Sequence, residues 1–251
     1  MPAQPSRPRL FVSGRLAADE ALALDRAQAH YLGHVMRLKP GDEVLLFNGR
    51  DGEWLAAING LGKGGGAVVV GERTRPQAAE PGPWLAFAPV KKTGTDFIVE
   101  KATELGATRL LPVFTKHTNS ARINRDRLAL RAREAAEQSS RLSVPEIAEP
   151  QPLDRLIADW PEGRRLLVLD ETGGGRPIAQ VLTGLGAAAH AAAPPLGFLS
   201  GPEGGFDAGE LDALRKLDFV IAVGLGPRVL RAETAALAAL ACWQAWLGVD
   251  G

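Results

Sequence analysis

Three glycine-rich segments in the last third of the chain carry side chains that could do chemistry. They are ETGGG (171–175), GPEGGF (201–206) and LGPRVLR (225–231). Glycine lets a backbone approach a ligand closely and adopt positive φ. Each segment could also be only a tight turn, but three of them so close together favour a shared binding site.

The charges in and beside these segments argue against a phosphate ligand. Glu203 and Glu233 accompany two cations, Arg228 and Arg231, and no GxGxxG dinucleotide motif opens a helix. A pocket of backbone amides and carbonyls with acids nearby suits a ligand that joins an adenine, a ribose and a positive centre. S-adenosylmethionine is such a ligand because its sulfonium is cationic. The sequence therefore predicts that these segments bind S-adenosylmethionine through the backbone.

Alternating strand and helix patterns must position the segments. The predicted strands are 84–90, 109–114, 165–170, 196–200 and 219–224. Helices are predicted at 96–107, 124–140 and 232–247, at PIAQVLTGL and after Asp207. The first has Thr95 as its N-cap and Gly106 at its end. PIAQVLTGL has Pro177 in its first turn, and Asp207 with Glu210 forms a capping box for the helix that follows it. This alternation is typical of an α/β domain with a mostly parallel sheet. Because ligands bind at the carboxyl ends of such strands, we expect the segments after Asp170, Ser200 and Gly224 to converge.

The first part of the chain has a different pattern. Residues 1–75 are mostly β, with apolar runs such as VLLFNG, EWLAAIN and AVVVGERT separated by turn sequences, and a helical stretch near 25–37 precedes them. GLGKGGG between two of these runs predicts a hairpin turn. The predicted domains are 1–75 and 84–251, with a proline-rich linker at 76–83. Residues 186–195 are predicted to be a low-complexity connector.

Charge is unevenly distributed although the net charge is zero. Residues 81–145 carry 11 basic and 6 acidic groups, whereas residues 146–251 carry 8 and 14. The excess is greatest between Arg109 and Arg133, and such a basic stripe favours a polyanion such as RNA. A solvated helix face with internal ion pairs is the alternative.

Composition excludes several classes of protein. A single cysteine, Cys242, rules out a disulfide framework and a cysteine zinc site, and the four histidines lack HExxH spacing. His30 and His34 could share a helix face, but core-edge histidines are favoured over metal ligands, and we predict no metal. No apolar run reaches the roughly 20 residues of a membrane span. With no signal-peptide pattern either, the sequence predicts a cytoplasmic protein with no membrane partner.

Longer motifs point to one family. EKATELGA, EAAEQSSR, GPEGGF and LGPRVLRAETA occur in this order, and the chain resembles the RsmE family of 16S ribosomal RNA uridine-N3 methyltransferases in the SPOUT superfamily. HYLGHVMRLKPGDEVLLFNG is similar to that family's N-terminal PUA-like β-barrel domain, which helps bind RNA. The resemblance implies a parallel α/β sheet with a C-terminal trefoil knot, S-adenosylmethionine as cofactor and a homodimer through the knot region. It also implies methylation of N3 of a uridine near the 3′ end of 16S rRNA, within the small ribosomal subunit.

The resemblance also assigns site residues. It places the cofactor against strand ends and knot loops, at Leu169, Leu199, Gly201, Gly205, Val223, Leu225, Gly226 and Leu230. Loss of the uridine N3 proton spreads negative charge over O2 and O4, and we expect Arg231 to stabilise that charge. A salt bridge from Arg231 to Glu233 or Glu203 is an equal alternative, and Glu203 is the second catalytic candidate. The predicted RNA-phosphate contacts are Lys91, Arg122, Arg125 and Arg141.

The chain departs from the family at two places. Lys116-His117 stands where the family often has Glu-Arg, and Gly94 stands where many members carry a second basic residue. Both positions are expected in the RNA-facing region, so they bear on RNA contacts and not on the cofactor site.

Two other functions stay open at this point. One is a SPOUT methyltransferase with another target, such as a tRNA ribose. The other is a non-catalytic RNA-binding assembly factor that kept the fold.

The final helix, AETAALAALACWQAWL, is apolar on more than one face. The sequence therefore predicts that a partner subunit covers part of it and that Leu240→Asp or Trp243→Asp produces monomers.

Overall fold

The structure is a computed structural model that describes residues 7–119, 122–186 and 195–247. The chain divides into two compact units, Met1–Ala79 with Ala136–Val144 and Glu80–Ala135 with Pro145–Gly251. The domain boundaries inferred from sequence stay a prediction. Most of the predicted connector at 186–195 lies outside the described residues.

The first unit is built on a mixed five-stranded sheet. Its strand order is β1-β3-β4-β5-β2, with one parallel pair, β1 and β3, and antiparallel pairing elsewhere. Gly62 pairs with Gly65 where β4 turns into β5, which confirms GLGKGGG as a hairpin turn. The strands are β1 Arg9–Phe11, β2 Ala21–Leu24, β3 Glu43–Phe47, β4 Glu53–Gly62 and β5 Gly65–Arg75.

A short helix packs on this sheet and confirms the helical stretch predicted near 25–37. Helix α1, Arg26–His30, continues as a π-helix, Tyr31–Val35. Asp25 caps α1 by accepting from the backbone N–H of Gln28, and the Gln28 side chain accepts from the Asp25 N–H in return. Leu32 is fully buried among the apolar side chains of the strands, so it fixes this helix to the core of the unit.

The second unit has the predicted parallel sheet. Its strand order is β11-β13-β10-β12-β6-β7-β8, and β9 also pairs with β7. Every pair is parallel. The strands are β6 Trp84–Phe87, β7 Arg109–Phe114, β8 Glu146–Ile147, β9 Gln151–Pro152, β10 Arg165–Leu169, β11 Arg176–Pro177, β12 Leu196–Ser200 and β13 Val220–Gly224. The helices are α2 Lys92–Glu104, α3 Arg125–Gln138, α4 Leu153–Ala158, α5 Ile178–Gly186, α6 Ala208–Arg215 and α7 Ala232–Trp246.

Two predicted helix starts are wrong. Helix α2 begins at Lys92, and Thr95 lies inside it, where its hydroxyl accepts from the Val90 N–H at 3.1 Å and donates to the Val90 carbonyl at 3.0 Å. These two bonds close the strand-to-helix turn, so the threonine acts from the first helical turn and not from the cap. Pro177 ends the short strand β11 and precedes α5. The capping box of Asp207 with Glu210 at α6 is confirmed.

Helix α7 is covered mainly by its own chain. It contacts α2, α5, β10 and β12, and Leu240 and Trp243 are 0% and 4% exposed. The prediction that an aspartate at either position simply separates two subunits is therefore corrected, because each side chain belongs to the core of the folded chain. Across the described residues, none of the helices combines the length and the apolarity that a membrane crossing needs.

We expect Leu240→Asp to lower the free energy of unfolding by about 4 kcal/mol or more, because it buries a charge without a partner. Ala241→Asp places the same charge on the exposed side of the same helix, and it should change stability by no more than about 0.5 kcal/mol. Urea unfolding of both variants measures the difference. Equal, small losses would show that Leu240 is not a core residue.

Candidate functional site

The predicted convergence of the three glycine-rich segments is confirmed. Strands β12, β10 and β13 are neighbours in the sheet, and the segments that follow them line one cleft of about 990 Å³. The cleft also includes Lys91, just before α2, and the first turn of α7. All of it belongs to the second unit.

Most of the predicted cofactor residues line this cleft. They are Leu169, Gly201, Gly205, Val223, Leu225, Gly226 and Leu230. Leu199 is different, because it is fully buried in the hydrophobic core beside Leu166 and Val168, and only the next residue, Ser200, lines the cleft. Alternation along a strand accounts for this difference, since successive side chains point to opposite faces.

A buried carboxylate organises the loop after β10. The Asp170 side chain is 0% exposed and accepts hydrogen bonds from the Thr172 N–H at 2.9 Å, the Thr172 hydroxyl at 2.6 Å and the Arg215 guanidinium at 2.6 Å. Burial raises the pKa of Asp170, but the hydrogen bonds from Thr172 and Arg215 outweigh it, so the pKa lies below its ordinary value. Asp170 thus connects ETGGG to helix α6. Sequence reasoning treated it only as the end of a strand.

The GPEGGF segment is held from two directions. Glu171 Oε1 accepts from the Phe206 N–H at 3.1 Å, and His117 Nδ1 donates to the Gly205 carbonyl at 3.1 Å. Gly205 has φ +71°, which favours glycine, and a Cβ there would also displace Glu171 Oε1. The backbone of this segment therefore depends on residues from other loops.

Lys116 and His117, which are expected in the RNA-facing region, contact the start of α6 and the GPEGGF segment. The Lys116 Nζ atom pairs with the Asp207 carboxylate at 2.7 Å, and the Lys116 backbone N–H donates to the Glu210 carboxylate at 2.9 Å. Asp207 and Glu210 both lie at the start of α6. With His117 on Gly205, this dipeptide contacts the cleft loop. These two positions therefore bear on the candidate cofactor site as well as on the predicted RNA contacts, and no local pattern in the sequence indicated it.

The two predicted catalytic side chains face the cleft unpaired. Arg231 is the N-cap residue of α7, and Glu203 lies in GPEGGF; both are exposed and both line the cleft. Within residues 7–119, 122–186 and 195–247, neither forms an ion pair, so the alternative salt bridge from Arg231 to Glu203 or Glu233 is not formed. Arg231 is thus available to a ligand.

Comparison with known proteins identifies the family. Residues 80–244 match the family described as RNA methyltransferase domain, and residues 24–70 match the RNA methyltransferase PUA domain. A ribosomal RNA small subunit methyltransferase E of Rickettsia conorii is 32% identical over 93% of both chains. That of Synechocystis is 33% identical over 93% of this chain and 76% of its own.

The chain belongs to the ribosomal RNA small subunit methyltransferase E family.

Solved structures agree with this membership. The family member from Neisseria gonorrhoeae, bound to S-adenosyl methionine, superposes with a TM-score of 0.80 at 26% identity and covers 95% of this chain and 97% of its own. A methyltransferase from Legionella pneumophila in complex with SAM has a TM-score of 0.82 at 25% identity, with 96% and 98% coverage. The parallel sheet is thus that of a SPOUT-type methyltransferase, preceded by a PUA-like domain.

In this methyltransferase the basic stripe is largely neutralised. Carboxylates pair with Arg109, Lys116, Arg125, Arg127 and Arg131. Arg125 also donates to the Ile147 carbonyl, and Arg141 is 8% exposed with its guanidinium on Ser143. These contacts favour the alternative that most of the stripe is an ion-paired surface. Arg122 is exposed, and Lys91 lines the cleft.

The described part of the methyltransferase contains no group of three or more His, Cys, Asp or Glu side chains that could hold a metal ion. His30 and His34 stack on each other, with ring centroids 4.7 Å apart.

We expect Asp170→Asn to lower the free energy of unfolding by about 1–3 kcal/mol at pH 7, because it removes a charged partner from the Arg215 guanidinium. Since the folded-state pKa of Asp170 is lowered, its contribution is complete above the ordinary value of 3.8 and is lost as pH falls through the folded-state value. The gap between wild type and variant should therefore narrow below about pH 4. Urea unfolding at several pH values tests this. Asp212→Asn is the control, because Asp212 also pairs with Arg215 but is 68% exposed; an equal loss for both variants would contradict the prediction.

Proposed function

We propose that this protein is an S-adenosylmethionine-dependent methyltransferase that modifies N3 of a uridine near the 3′ end of 16S rRNA. The observation that carries the proposal is the cleft at the ends of β10, β12 and β13, within a chain that belongs to the ribosomal RNA small subunit methyltransferase E family. The choice of N3 and of uridine rests on the motif resemblance.

The cleft fits S-adenosylmethionine. Its volume of about 990 Å³ lies at the upper end of the range for small-molecule sites. Leu169, Val223, Leu225 and Leu230 provide apolar walls for an adenine, and the glycine-rich segments offer backbone groups to its polar edge. Glu203 and Glu233 line the same space and suit the positive end of the ligand. When bound, the cofactor supplies an electrophilic methyl group.

The chain's own residues would orient the uridine and manage its proton. Arg231 lies at the start of α7 and has no ionic partner among the described residues, so its guanidinium can stabilise the charge on O2 and O4 once N3 is deprotonated. Glu203 is exposed on the cleft, and its carboxylate is available to take the N3 proton. The target base must leave any stack to reach these groups.

RNA contacts and assembly complete the proposal. Arg122, being exposed, is the best-placed candidate of the stripe for a phosphate, and Lys91 could contact RNA that enters the cleft. Arg125 and Arg141 would have to leave existing partners to bind RNA. We propose that the substrate is 16S rRNA in the small ribosomal subunit, that the enzyme is a homodimer and that it acts in the cytoplasm. The trefoil knot implied by the resemblance stays a prediction.

Mass mapping of 16S rRNA from cells with and without the gene tests this function. We expect one N3-methyluridine near the 3′ end to disappear in the deletion strain and to return with the wild-type gene. A methyl group lost from tRNA ribose would redirect the proposal to another RNA. An unchanged modification pattern in all RNA would favour a non-catalytic assembly factor and overturn the proposal.

We expect Arg231→Ala to lower turnover by about 10²-fold or more while leaving cofactor affinity and dimerisation nearly intact, the scale of losing one electrostatic contact to a transition state. Single-turnover methyl transfer and calorimetry with S-adenosylmethionine separate the two effects. Arg228→Ala removes another cation of the same segment and should cost less. A fully active Arg231→Ala enzyme would remove this residue from the mechanism.

A further inference from the structure

One peptide group in the cleft is held at both of its polar atoms. The carbonyl of Gly205 accepts from His117 Nδ1 at 3.1 Å, and the N–H of Phe206 donates to Glu171 Oε1 at 3.1 Å. These two atoms belong to the same planar peptide unit. His117 follows β7 and Glu171 follows β10, so the holders come from two different strand ends.

The Gly205 carbonyl determines which ring nitrogen of His117 carries a proton. A carbonyl can only accept a hydrogen bond, so Nδ1 of His117 must carry a proton in this arrangement. The carboxylate of Glu171 is in turn an acceptor for an N–H group. The pair therefore recognises the peptide in one orientation and would oppose its inverse, which would bring the N–H of Phe206 towards a donor and the carbonyl towards a carboxylate.

The orientation of this peptide is set by ψ of Gly205 and φ of Phe206. Gly205, in the left-handed region at φ +71°, allows a wider range of ψ than other residues do, so the plane can tilt unless something holds it. Phe206 does not have a positive φ, and a full inversion would require one, so the holders select among tilted orientations. The Gly205 N–H bond to the Pro202 carbonyl, at 3.0 Å, holds the preceding peptide but not this one.

We propose that His117 and Glu171 are positioning residues that together clamp the Gly205–Phe206 peptide in the orientation that binds the cofactor. The proposal rests on the proposed function only for the identity of the ligand. The two side chains share no hydrogen bond or ion pair in the described residues, so any coupling between them passes through the peptide they both hold.

The expected effects follow from the fraction of molecules whose peptide has the competent orientation. Apparent affinity falls by the fraction of molecules in the competent orientation, so loss of one holder costs less than loss of both. We therefore expect His117→Ala and Glu171→Ala each to raise the Kd for S-adenosylmethionine about threefold, and the double variant to raise it about tenfold or more. His117→Asn keeps a donor and Glu171→Gln keeps an acceptor, so both should restore most of the affinity.

The peptide itself can be observed. The sequence contains only two Gly-Phe steps, Gly197–Phe198 and Gly205–Phe206. With ¹³C-carbonyl glycine and ¹⁵N-phenylalanine, a carbonyl-to-amide correlation spectrum of the whole chain shows only these two peptides. Gly197–Phe198 lies in buried strand β12 and is an internal control. We expect His117→Ala to speed hydrogen exchange at the Phe206 amide, although the His117 hydrogen bond is made to the Gly205 carbonyl. Exchange is the readout, because the carbonyl and the amide of one peptide are conjugated and loss of either hydrogen bond changes the chemical shifts of both atoms.

The outcomes separate the clamp from the proposed function. Faster exchange at the Phe206 amide in His117→Ala, with unchanged exchange at Phe198, supports the clamp. An unchanged Phe206 exchange rate in that variant, or wild-type Kd values in both alanine variants, overturns it. Failure of the wild-type protein to bind S-adenosylmethionine would refute the proposed function, and the spectra would still decide the clamp. His30→Ala and Glu162→Ala, at exposed positions elsewhere, should change neither readout.

Discussion

The parallel pairing of β12, β10 and β13 side by side is the constraint on which the candidate site depends. Val168 pairs with Leu199 on one side and with Ala222 on the other, so the three strands end at nearly the same level. Parallel strands end at one edge of a sheet, and the three glycine-rich segments therefore emerge together. Lys91 and the first turn of α7 complete the walls of the cleft at this edge.

The walls of the cleft hold each other in place through polar contacts. Asp170 connects the segment after β10 to Arg215 in α6, and Glu171 connects it to Phe206 after β12. Lys116 and His117 add a connection from the end of β7. Glycine-rich loops have high conformational entropy, and these side chains reduce it before a ligand arrives, which is how preorganisation raises affinity.

The charged side chains of the second unit fall into two groups, those that pair within the fold and those that line the cleft and can meet a ligand. Asp170 is buried and fully paired, and several cations of the basic stripe have carboxylate partners. In the part of the chain that the structure describes, Arg231 and Glu203 line the cleft without such partners. Side chains with fixed partners stabilise the fold, whereas unpaired charges beside a binding cleft are available to a substrate. This separation, and not the total charge, distinguishes Arg231 from the arginines of the stripe.

The sequence by itself determined the alternating elements, the capping box at Asp207 and the glycine-rich segments, because apolar periodicity, caps and glycines act over a few residues. Membership of the methyltransferase family was also readable from ordered motifs. Only the tertiary structure decided the contacts of His117 with Gly205, 88 residues away, and of Asp170 with Arg215, 45 residues away. It also decided that Arg141 and Leu240 are buried. These contacts and burials depend on the strand order and on which helix covers which strand. A local pattern encodes neither of these, because the same local sequence can end at a sheet edge that faces solvent or at one that faces another loop.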